Sequence, residues 1–103
     1  MEVSLLEEVK TFLQTLEEKT FAKALRMIDL LEEFGINLRM PHSKPMGRGL
    51  HELRVRGSQE VRLIYAFRGN TAVIVYAFSK KSQRIPQREF EYAFKLLKGL
   101  DAS

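Results

Sequence analysis

Cysteine is absent from this 103-residue chain, and no apolar run approaches the roughly 20 residues that a membrane-spanning helix needs. Without cysteine there is no disulfide framework and no thiolate chemistry, which fits a cytoplasmic protein. A secretory signal would begin with basic residues and a long apolar segment, whereas Met1–Lys10 carries three glutamates. We therefore expect a single cytoplasmic domain over residues 1–103, with no membrane partner.

The charges are divided unevenly along the chain. Residues 1–35 hold four basic and eight acidic residues, a net charge of −4, whereas residues 36–103 hold thirteen basic and five acidic residues, a net charge of +8. Between Arg39 and Arg88 there are eleven basic residues and only two acidic ones, Glu52 and Glu60. This separation predicts a polyanionic partner for the second part of the chain, nucleic acid above all, although an uneven solubilising surface is the alternative.

The first third of the chain predicts two amphipathic helices. Ser4 and Glu7 have the spacing of a capping box, and apolar residues then recur at helical spacing to about Glu18. Thr20 is placed to cap a second helix, which Gly35 would end with a left-handed conformation. Because two or three residues separate the helices, we expect an antiparallel hairpin that packs on a sheet.

Residues 36–49 contain two prolines and two glycines and show no periodicity, so they predict a loop. This loop carries Arg39, His42, Lys44 and Arg48. His42 has no carboxylate or second histidine near it in sequence, so a solvated side chain is a better interpretation than a metal ligand. We predict no metal site and no cofactor.

Three runs rich in Val, Ile, Tyr and Phe predict strands: Leu50–Arg56, Val61–Arg68 and Thr71–Ser79. Gly69-Asn70 predicts a two-residue hairpin turn between the last two. Pro86 suits the first turn of a final helix, which Gly99 would end. The predicted fold is α+β, with two N-terminal antiparallel helices on a three-stranded antiparallel sheet and a C-terminal helix.

Strict alternation from that turn assigns each side chain of the sheet to a face. It sets Tyr65 opposite Ile74 and Leu63 opposite Tyr76. The face toward the helices would hold Val61, Leu63, Tyr65, Phe67, Ala72, Ile74, Tyr76 and Phe78. The other face would hold Arg62, Ile64, Ala66, Arg68, Val73, Val75, Ala77 and Ser79, and we expect this face to bind RNA.

The connection after Arg56 decides where the basic side chains of the first strand point. An even connection would turn Arg54 and Arg56 toward the core, where unpaired guanidinium groups are very costly. An odd connection or a bulge places both beside Arg62, with Leu53 and Val55 facing the helices. We therefore predict the odd connection, with Lys80 or Lys81 at the rim of the basic face.

Three spaced motifs resemble a known family. Lys44–Arg54 reads KPMGRGLHELR, similar to the signature KPLGDGLxELR of a toxin family. Val61–Tyr65 and Phe78–Pro86 continue the likeness, and Phe21–Gly35 matches the second helix of that family. Over about residues 4–98 the chain resembles the phage-derived HigB-like branch of the RelE/ParE superfamily, the toxins of bacterial type II toxin–antitoxin modules.

The resemblance implies a RelE-like fold and cleavage of mRNA on the ribosome, with a cognate helix-turn-helix antitoxin that blocks the basic face. Typical members begin with a strand before the first helix, and this chain has only Met1-Glu2-Val3 there, which implies a missing or vestigial strand. Two alternatives stay open. One is a ParE-like toxin directed at DNA gyrase, and the other is a non-catalytic remnant that binds antitoxin or RNA. The sequence leaves the oligomeric state undetermined.

The resemblance also implies roles for individual residues. Arg62 matches the superfamily's sheet arginine, which would stabilise the extra negative charge on the phosphate, and Lys81 or Lys80 would assist. The RNA backbone would be held by Arg54, Arg56, Arg84, Arg88, Lys44 and Arg48. Weaker candidates for acid–base work are His51, Glu52 and Glu89, whereas Tyr92 lies too far along the chain to replace the expected acid–base tyrosine or histidine.

Overall fold

The computed structural model describes residues 1–81 and 85–103 and contains one five-stranded sheet with helices on both of its faces. The strands are β1 (Glu2–Leu5), β2 (Ser43–Gly47), β3 (Leu50–Val55), β4 (Val61–Arg68) and β5 (Thr71–Ser79). The helices are α1 (Glu7–Gln14), α2 (Glu18–Phe34) and α3 (Gln87–Ala102), with a 3-10 turn at Gly35–Asn37.

The sheet order is β1-β5-β4-β3-β2, in which β1 runs parallel to β5 and the other neighbours are antiparallel. The three predicted strands correspond to β3, β4 and β5, with β3 ending one residue earlier than expected. The predicted three-stranded antiparallel sheet is nevertheless wrong, because the sequence interpretation missed the strand at each edge.

The first missed strand is β1. Val3 pairs with Ala72 and Leu5 with Ile74, and both side chains pack against the core beneath the first two helices. A strand is therefore present where the resemblance implied a missing or vestigial one. Ser4 lies inside it, so the predicted capping box is wrong: α1 begins at Glu7 with no side-chain cap. Four residues of polar–apolar alternation are too short a signal to predict a strand with certainty.

The second missed strand is β2, within the predicted loop. It pairs antiparallel with β3 from Ser43 to Gly47, with a register shift between Pro45 and Gly47. Pro45 and two flanking glycines argue against a central strand, but an edge strand tolerates proline. Gly47 and Gly49 have φ values of 97° and 81°, which an L-residue rarely adopts, and they form the hairpin that returns the chain into β3.

The helix boundaries also differ from the prediction. α1 ends at Gln14 rather than near Glu18, and α2 begins at Glu18 without a Thr20 cap. The Thr20 hydroxyl instead donates a hydrogen bond of 2.9 Å to Oε1 of Glu17. Gly35 ends α2 at the predicted position and with a positive φ of 51°, but its ψ of −126° differs from that of the predicted left-handed cap.

Each face of the sheet covers its own apolar core. On one face, α1 and α2 pack on a cluster that includes Leu53, Leu63 and Tyr65. On the other, α3 packs through Ala93 and Leu97 on side chains of Leu50, Ile64, Ala66, Val73, Val75 and Phe78. α3 continues past Gly99 to Ala102, so the predicted helix end was wrong. The face that was expected to bind RNA is therefore largely covered by the C-terminal helix.

A bulge in β5 changes the predicted faces. Tyr65 pairs with Ile74 as predicted, but Ile64 pairs with Tyr76, which leaves Val75 as an extra residue in the ladder. Beyond the bulge, Tyr76 and Phe78 belong to the α3 side and Ala77 to the other side, the reverse of the prediction. One inserted residue exchanges the faces for the rest of a strand, and β5 is apolar at every position from 72 to 78, so alternation cannot reveal the shift.

Leu53 provides a test of the core on the α2 side. It is 0% exposed, whereas Leu25 on α2 is 43% exposed. We expect Leu53→Ala to lower the free energy of unfolding by about 2–5 kcal/mol, because it removes buried methyl groups and leaves a cavity. The matched variant Leu25→Ala should change it by less than about 0.5 kcal/mol. Equilibrium urea unfolding of both variants checks this, and equal losses would contradict the assigned packing.

Candidate functional site

A buried arginine lies at the centre of the candidate site. The side chain of Arg62 in β4 is 1% exposed. Its Nη1 donates to the carbonyl oxygen of Val61 at 3.0 Å, and its Nη2 donates to Oε1 of Glu60 at 3.2 Å. Nε of Arg62 is buried and has no hydrogen-bond partner among residues 1–81 and 85–103, since Oε1 of Glu52 is 3.7 Å away. A charge this deeply buried requires nearby counter-charges.

Glu52 in β3 supplies one of those counter-charges and joins Arg62 to a second arginine. Its side chain is 5% exposed, and its Oε1 accepts a hydrogen bond of 2.7 Å from Nε of Arg54. Glu52 and Arg54 are two residues apart on one strand, so their side chains lie on the same side of the sheet. The result is an Arg54–Glu52–Arg62 cluster.

The pairing of β3 with β4 confirms the predicted odd connection. Leu53 lies opposite Leu63, Arg54 opposite Arg62 and Val55 opposite Val61, which leaves the five residues 56–60 between the strands. Leu53 and Val55 are buried beneath the first two helices, and Arg54 lies on the other side. The predicted position of Arg54 beside Arg62 is therefore confirmed, whereas Arg56, predicted on the same face, lies in the connection after β3 and lines another groove.

A cleft of about 300 Å³ opens above the Arg54–Glu52–Arg62 cluster. It is lined by Lys44, Pro45, Met46, Glu52, Arg54, Lys80 and Ile85. No described residue accepts a hydrogen bond from Nη1 or Nη2 of Arg54, and the side chain is 15% exposed. Three cations therefore meet one carboxylate in this cleft, which suits a phosphate group.

Lys80 directly follows β5 and is positioned by its backbone, whose N–H donates to the carbonyl oxygen of Glu60 at 2.7 Å. Burial lowers the pKa of its ammonium group, and the positive charge of Arg62 lowers it further. A lysine with a lowered pKa transfers protons more readily at neutral pH than an ordinary lysine.

The other predicted site residues do not line this cleft. Arg48, in the β2–β3 hairpin, lies over the Phe94 ring at 4.9 Å and 3.5 Å from Oε1 of Glu91. Arg88 is exposed in the first turn of α3, and Lys81 is exposed beside Lys80. Arg84 lies outside the described residues. Of the predicted site residues described, the structure brings together Lys44, Arg54 and Lys80, with Arg62 beneath them.

Arg56 lies in the connection after β3 and lines a different groove, together with Lys23 and Arg26 of α2. Its Nε is 3.6 Å from Oε1 of Glu60, and 62% of its side chain is exposed. It therefore lies close to the cluster through Glu60 without lining the cleft.

The weaker acid–base candidates are separated by the fold. His51 is stacked on Tyr65 with a centroid distance of 5.1 Å, on the α2 side of the sheet, and burial lowers its pKa. Glu89 accepts a hydrogen bond of 2.8 Å from the hydroxyl of Tyr76. Among these candidates only Glu52 lines the cleft. Tyr92 contacts Tyr76 with a centroid distance of 4.9 Å and is not a lining residue either.

Two residues near the site, Glu60 and Tyr76, were assigned wrongly from the sequence. Glu60, which pairs with both Arg56 and Arg62, was treated as part of a turn, although it is one of only two acids between residues 39 and 88. Tyr76 was assigned to the wrong face because of the bulge. Burial raises its pKa, and the hydrogen bond to Glu89 raises it further. The scarcity of acids in a basic segment was the signal that could have identified Glu60.

Residues 1–81 and 85–103 contain neither a metal-binding cluster nor a membrane-spanning helix. No three His, Asp or Glu side chains in these ranges come together as a metal site would require. No helix in the same ranges is long and apolar enough to cross a bilayer.

Comparison with protein families identifies a family that matches most of the chain. The family described as phage-derived protein Gp49-like (DUF891) matches residues 11–98, which include α2, the strands β2 to β5 and all the residues that line the cleft. No curated protein matches the chain significantly.

Glu52 is expected to hold the two arginines together in the folded state. Glu52→Gln leaves Arg54 and the buried Arg62 without this counter-charge, so we expect the free energy of unfolding to fall by about 3–5 kcal/mol. Glu60→Gln is the matched control, because the Glu60 side chain is 38% exposed and its loss should cost less. Urea unfolding at neutral pH measures both. A Glu60 variant that loses more than the Glu52 variant would refute the central place of Glu52.

The partly buried His51 should make the fold sensitive to mild acid. Because burial lowers the pKa of His51 below its usual value of 6.5, the unfolded chain binds the proton at a higher pH than the folded chain. Its contribution to stability is therefore lost as the pH falls below about 6.5. We expect His51→Phe, which keeps the stacking, to reduce the decline in unfolding free energy between about pH 6.5 and 5.

The matched control for that experiment is His42→Gln, which removes the other histidine from an exposed position. It should retain the wild-type decline in unfolding free energy over the same pH range. If His51→Phe declines as steeply as the wild type does, the acid sensitivity has another origin.

Proposed function

Since the chain belongs to the phage-derived Gp49-like family, we propose that it is the toxin of a type II toxin–antitoxin module that cleaves mRNA on the ribosome. The observation that carries the proposal is the cleft in which Lys44, Arg54 and Lys80 surround Glu52 above the buried Arg62. The cleft supplies positive charge for a phosphate and, in Lys80, a lysine suited to proton transfer. The proposed inhibitor is a cognate helix-turn-helix antitoxin that covers this cleft.

The proposed reaction is attack of a ribose 2′-hydroxyl on the adjacent phosphate. The new 2′-O–P bond forms as the bond from phosphorus to the 5′-oxygen of the next nucleotide breaks, which gives a cyclic phosphate and a free 5′-hydroxyl. The attacking hydroxyl must lose a proton and the leaving oxygen must gain one. The negative charge that builds on the phosphate oxygens needs nearby cations.

Arg54 and Lys80 take the substrate-facing roles in this proposal. Nη1 and Nη2 of Arg54, for which no described residue is an acceptor, bind two phosphate oxygens as a fork. Lys80, whose pKa is lowered by burial, donates the proton to the leaving 5′-oxygen. Glu52 is the carboxylate that lines the cleft and accepts the proton from the 2′-hydroxyl.

Arg62 is a positioning residue in this proposal. Its side chain is 1% exposed, so a phosphate in the cleft meets Arg54 and Lys80 first. Arg62 holds Glu52 and Glu60 in place and adds positive charge from beneath. This differs from the direct role that the family resemblance implies, and Lys81 is left at the exposed rim.

The decisive experiment expresses the chain from an inducible promoter in bacteria and maps mRNA 5′-ends. We expect growth arrest and cuts at defined positions within translated codons, because the cleft would act on mRNA held by the ribosome. Arrest with intact mRNA would reject the endonuclease and favour a gyrase-directed toxin. Full growth at high expression would favour a non-catalytic binder.

Lys80→Gln tests the catalytic cleft within the same assay. It should reduce mRNA cleavage by at least about 100-fold, the lower end of the usual contribution from a general acid. Lys10→Gln is the matched control, because Lys10 lies on α1, pairs with Glu7 and is 54% exposed. Thermal unfolding of both variants shows whether they are folded. Cleavage by Lys80→Gln at the wild-type rate would remove Lys80 from the mechanism.

A further inference from the structure

A second groove, of about 410 Å³, lies where the middle of α2 faces the segment before β2 and the end of β3. It is lined by Lys23, Arg26, Met27, Pro41, His42, Arg54 and Arg56. Neither the sequence analysis nor the family resemblance assigns a role to Lys23 or Arg26. We call this the α2 groove, and the cleft above Glu52 the first cleft.

The lining of the α2 groove is strongly basic. Four of its seven residues are lysine or arginine, one is histidine, and none is acidic. Arg56 is partly compensated by Glu60 at 3.6 Å. Arg26 forms no ion pair with any residue in the described ranges and is exposed on α2. Arg54 is paired with Glu52 at 2.7 Å, so Lys23 and Arg26 are the cations of this lining that have no ion pair among the described residues. The lining still has an excess of positive charge on a concave surface, which attracts an anion rather than a neutral ligand.

The wall of the α2 groove that comes from the β3–β4 connection is fixed to α2. Nζ of Lys23 donates to the carbonyl oxygen of Arg56 at 2.7 Å. The hydroxyl of Ser58 donates to Oε1 of Glu17, and the backbone N–H of Glu17 donates to Oε1 of Gln59 at 3.3 Å. These contacts hold the connection against the start of α2, so the groove is formed before any ligand binds, which reduces the entropy cost of binding.

Arg54 lines both the α2 groove and the first cleft. Its backbone N–H donates to the carbonyl oxygen of His42 at 2.9 Å, which fixes it beside the segment before β2. Its guanidinium is held on the side of the first cleft by Glu52 at 2.7 Å. The two concave surfaces therefore meet at one residue, with cations on either side of it.

We propose that the α2 groove binds the phosphate backbone of the same RNA strand whose scissile phosphate occupies the first cleft. This proposal rests on the proposed function and extends it to the substrate outside the cleaved bond. The strand passes Lys80 and Lys44, crosses Arg54, and continues along Arg56 to Arg26. A row of separate cations matches a polymer that carries one charge at each repeat.

The apolar members of the lining favour a single strand over a duplex. Met27 and Pro41 lie among the cations, where they contact the sugar or the face of an unpaired base. Guanidinium planes such as that of Arg26 also stack on bases. A groove that combines a basic wall with apolar platforms is how proteins hold single strands with little sequence preference.

The test measures binding of the purified chain to fluorescent single-stranded oligouridylates of about 4 and about 12 nucleotides across a range of salt concentrations. The logarithm of the binding constant falls linearly with the logarithm of the salt concentration, and removing one phosphate contact should reduce the magnitude of this slope by about 0.7. We expect Arg26→Gln to lower the slope by this amount and to weaken binding several-fold for the long strand, with no change for the short one. Lys80→Gln should weaken binding of both.

Arg39→Gln is the matched control. Arg39 is an exposed arginine that lines neither the first cleft nor the α2 groove. It should leave the slope for the long strand unchanged. If Arg26→Gln and Arg39→Gln give the same slope, the α2 groove does not bind RNA. Polyglutamate tests whether the ligand is an acidic protein segment instead. If polyglutamate displaces the long strand and Arg26→Gln weakens its binding as well, the RNA assignment is overturned.

The experiments give different results if the α2-groove proposal is wrong and if the proposed function is wrong. If the wild-type chain cleaves mRNA while Arg26→Gln binds the long strand normally, only the groove proposal is rejected. If Arg26→Gln weakens binding of the long strand while the wild-type chain leaves mRNA intact, the groove binds RNA and the nuclease activity is rejected.

Discussion

The need to neutralise one buried guanidinium constrains much of this structure. Arg62 lies in a central strand at 1% exposure, and it is stable there only because Glu52 and Glu60 approach it from β3 and from the connection that follows. That requirement fixes the pairing of Arg54 with Arg62 and brings Glu52 beneath the cleft. Glu60 also fixes the point at which the chain leaves β5, because its carbonyl oxygen accepts a hydrogen bond from the backbone N–H of Lys80. The same charges thus stabilise the fold and line the cleft of the proposed site.

Coverage of both sheet faces confines the polar surface to the end of the sheet. The centre of one face is taken by α1 and α2, and the centre of the other by α3. At the end where β3 and β5 finish, Arg54, Arg56 and Lys80 line the cleft and the adjoining groove. The charge bias of the sequence is therefore expressed as a local cluster and an adjoining groove rather than as a broad basic face.

The predictable parts of the fold were those with a strong local pattern or a large energetic penalty. The runs of β3, β4 and β5 were bounded by turn residues, and the odd connection followed from the cost of burying Arg54. The edge strands were missed because β1 has only four residues and β2 contains Pro45. The bulge at Val75 was hidden because both faces of β5 are apolar.

The positions of the basic side chains were only partly predictable from the sequence. Arg54 was predicted to share a face with Arg62 and to have Lys80 or Lys81 at its rim, and the structure places Arg54, Lys80 and Lys44 around one cleft, whereas Arg48 and Arg56 lie outside it. The burial of Arg62 and its dependence on Glu60 could not be read from strand alternation, because they depend on the path of the connection after Arg56. The contribution of α2 to the basic surface required the tertiary structure, since Lys23 and Arg26 lie in the acidic part of the sequence.

The two outer strands also limit how another protein can attach. β1 offers four residues, and β2 carries a proline without an N–H and a register shift that interrupts its hydrogen-bonding pattern. Short or interrupted edges are poor templates for a strand supplied by a second chain. Strand addition at either edge of this sheet would therefore find few backbone N–H and C=O groups in register, whereas the clefts and helices present side chains instead.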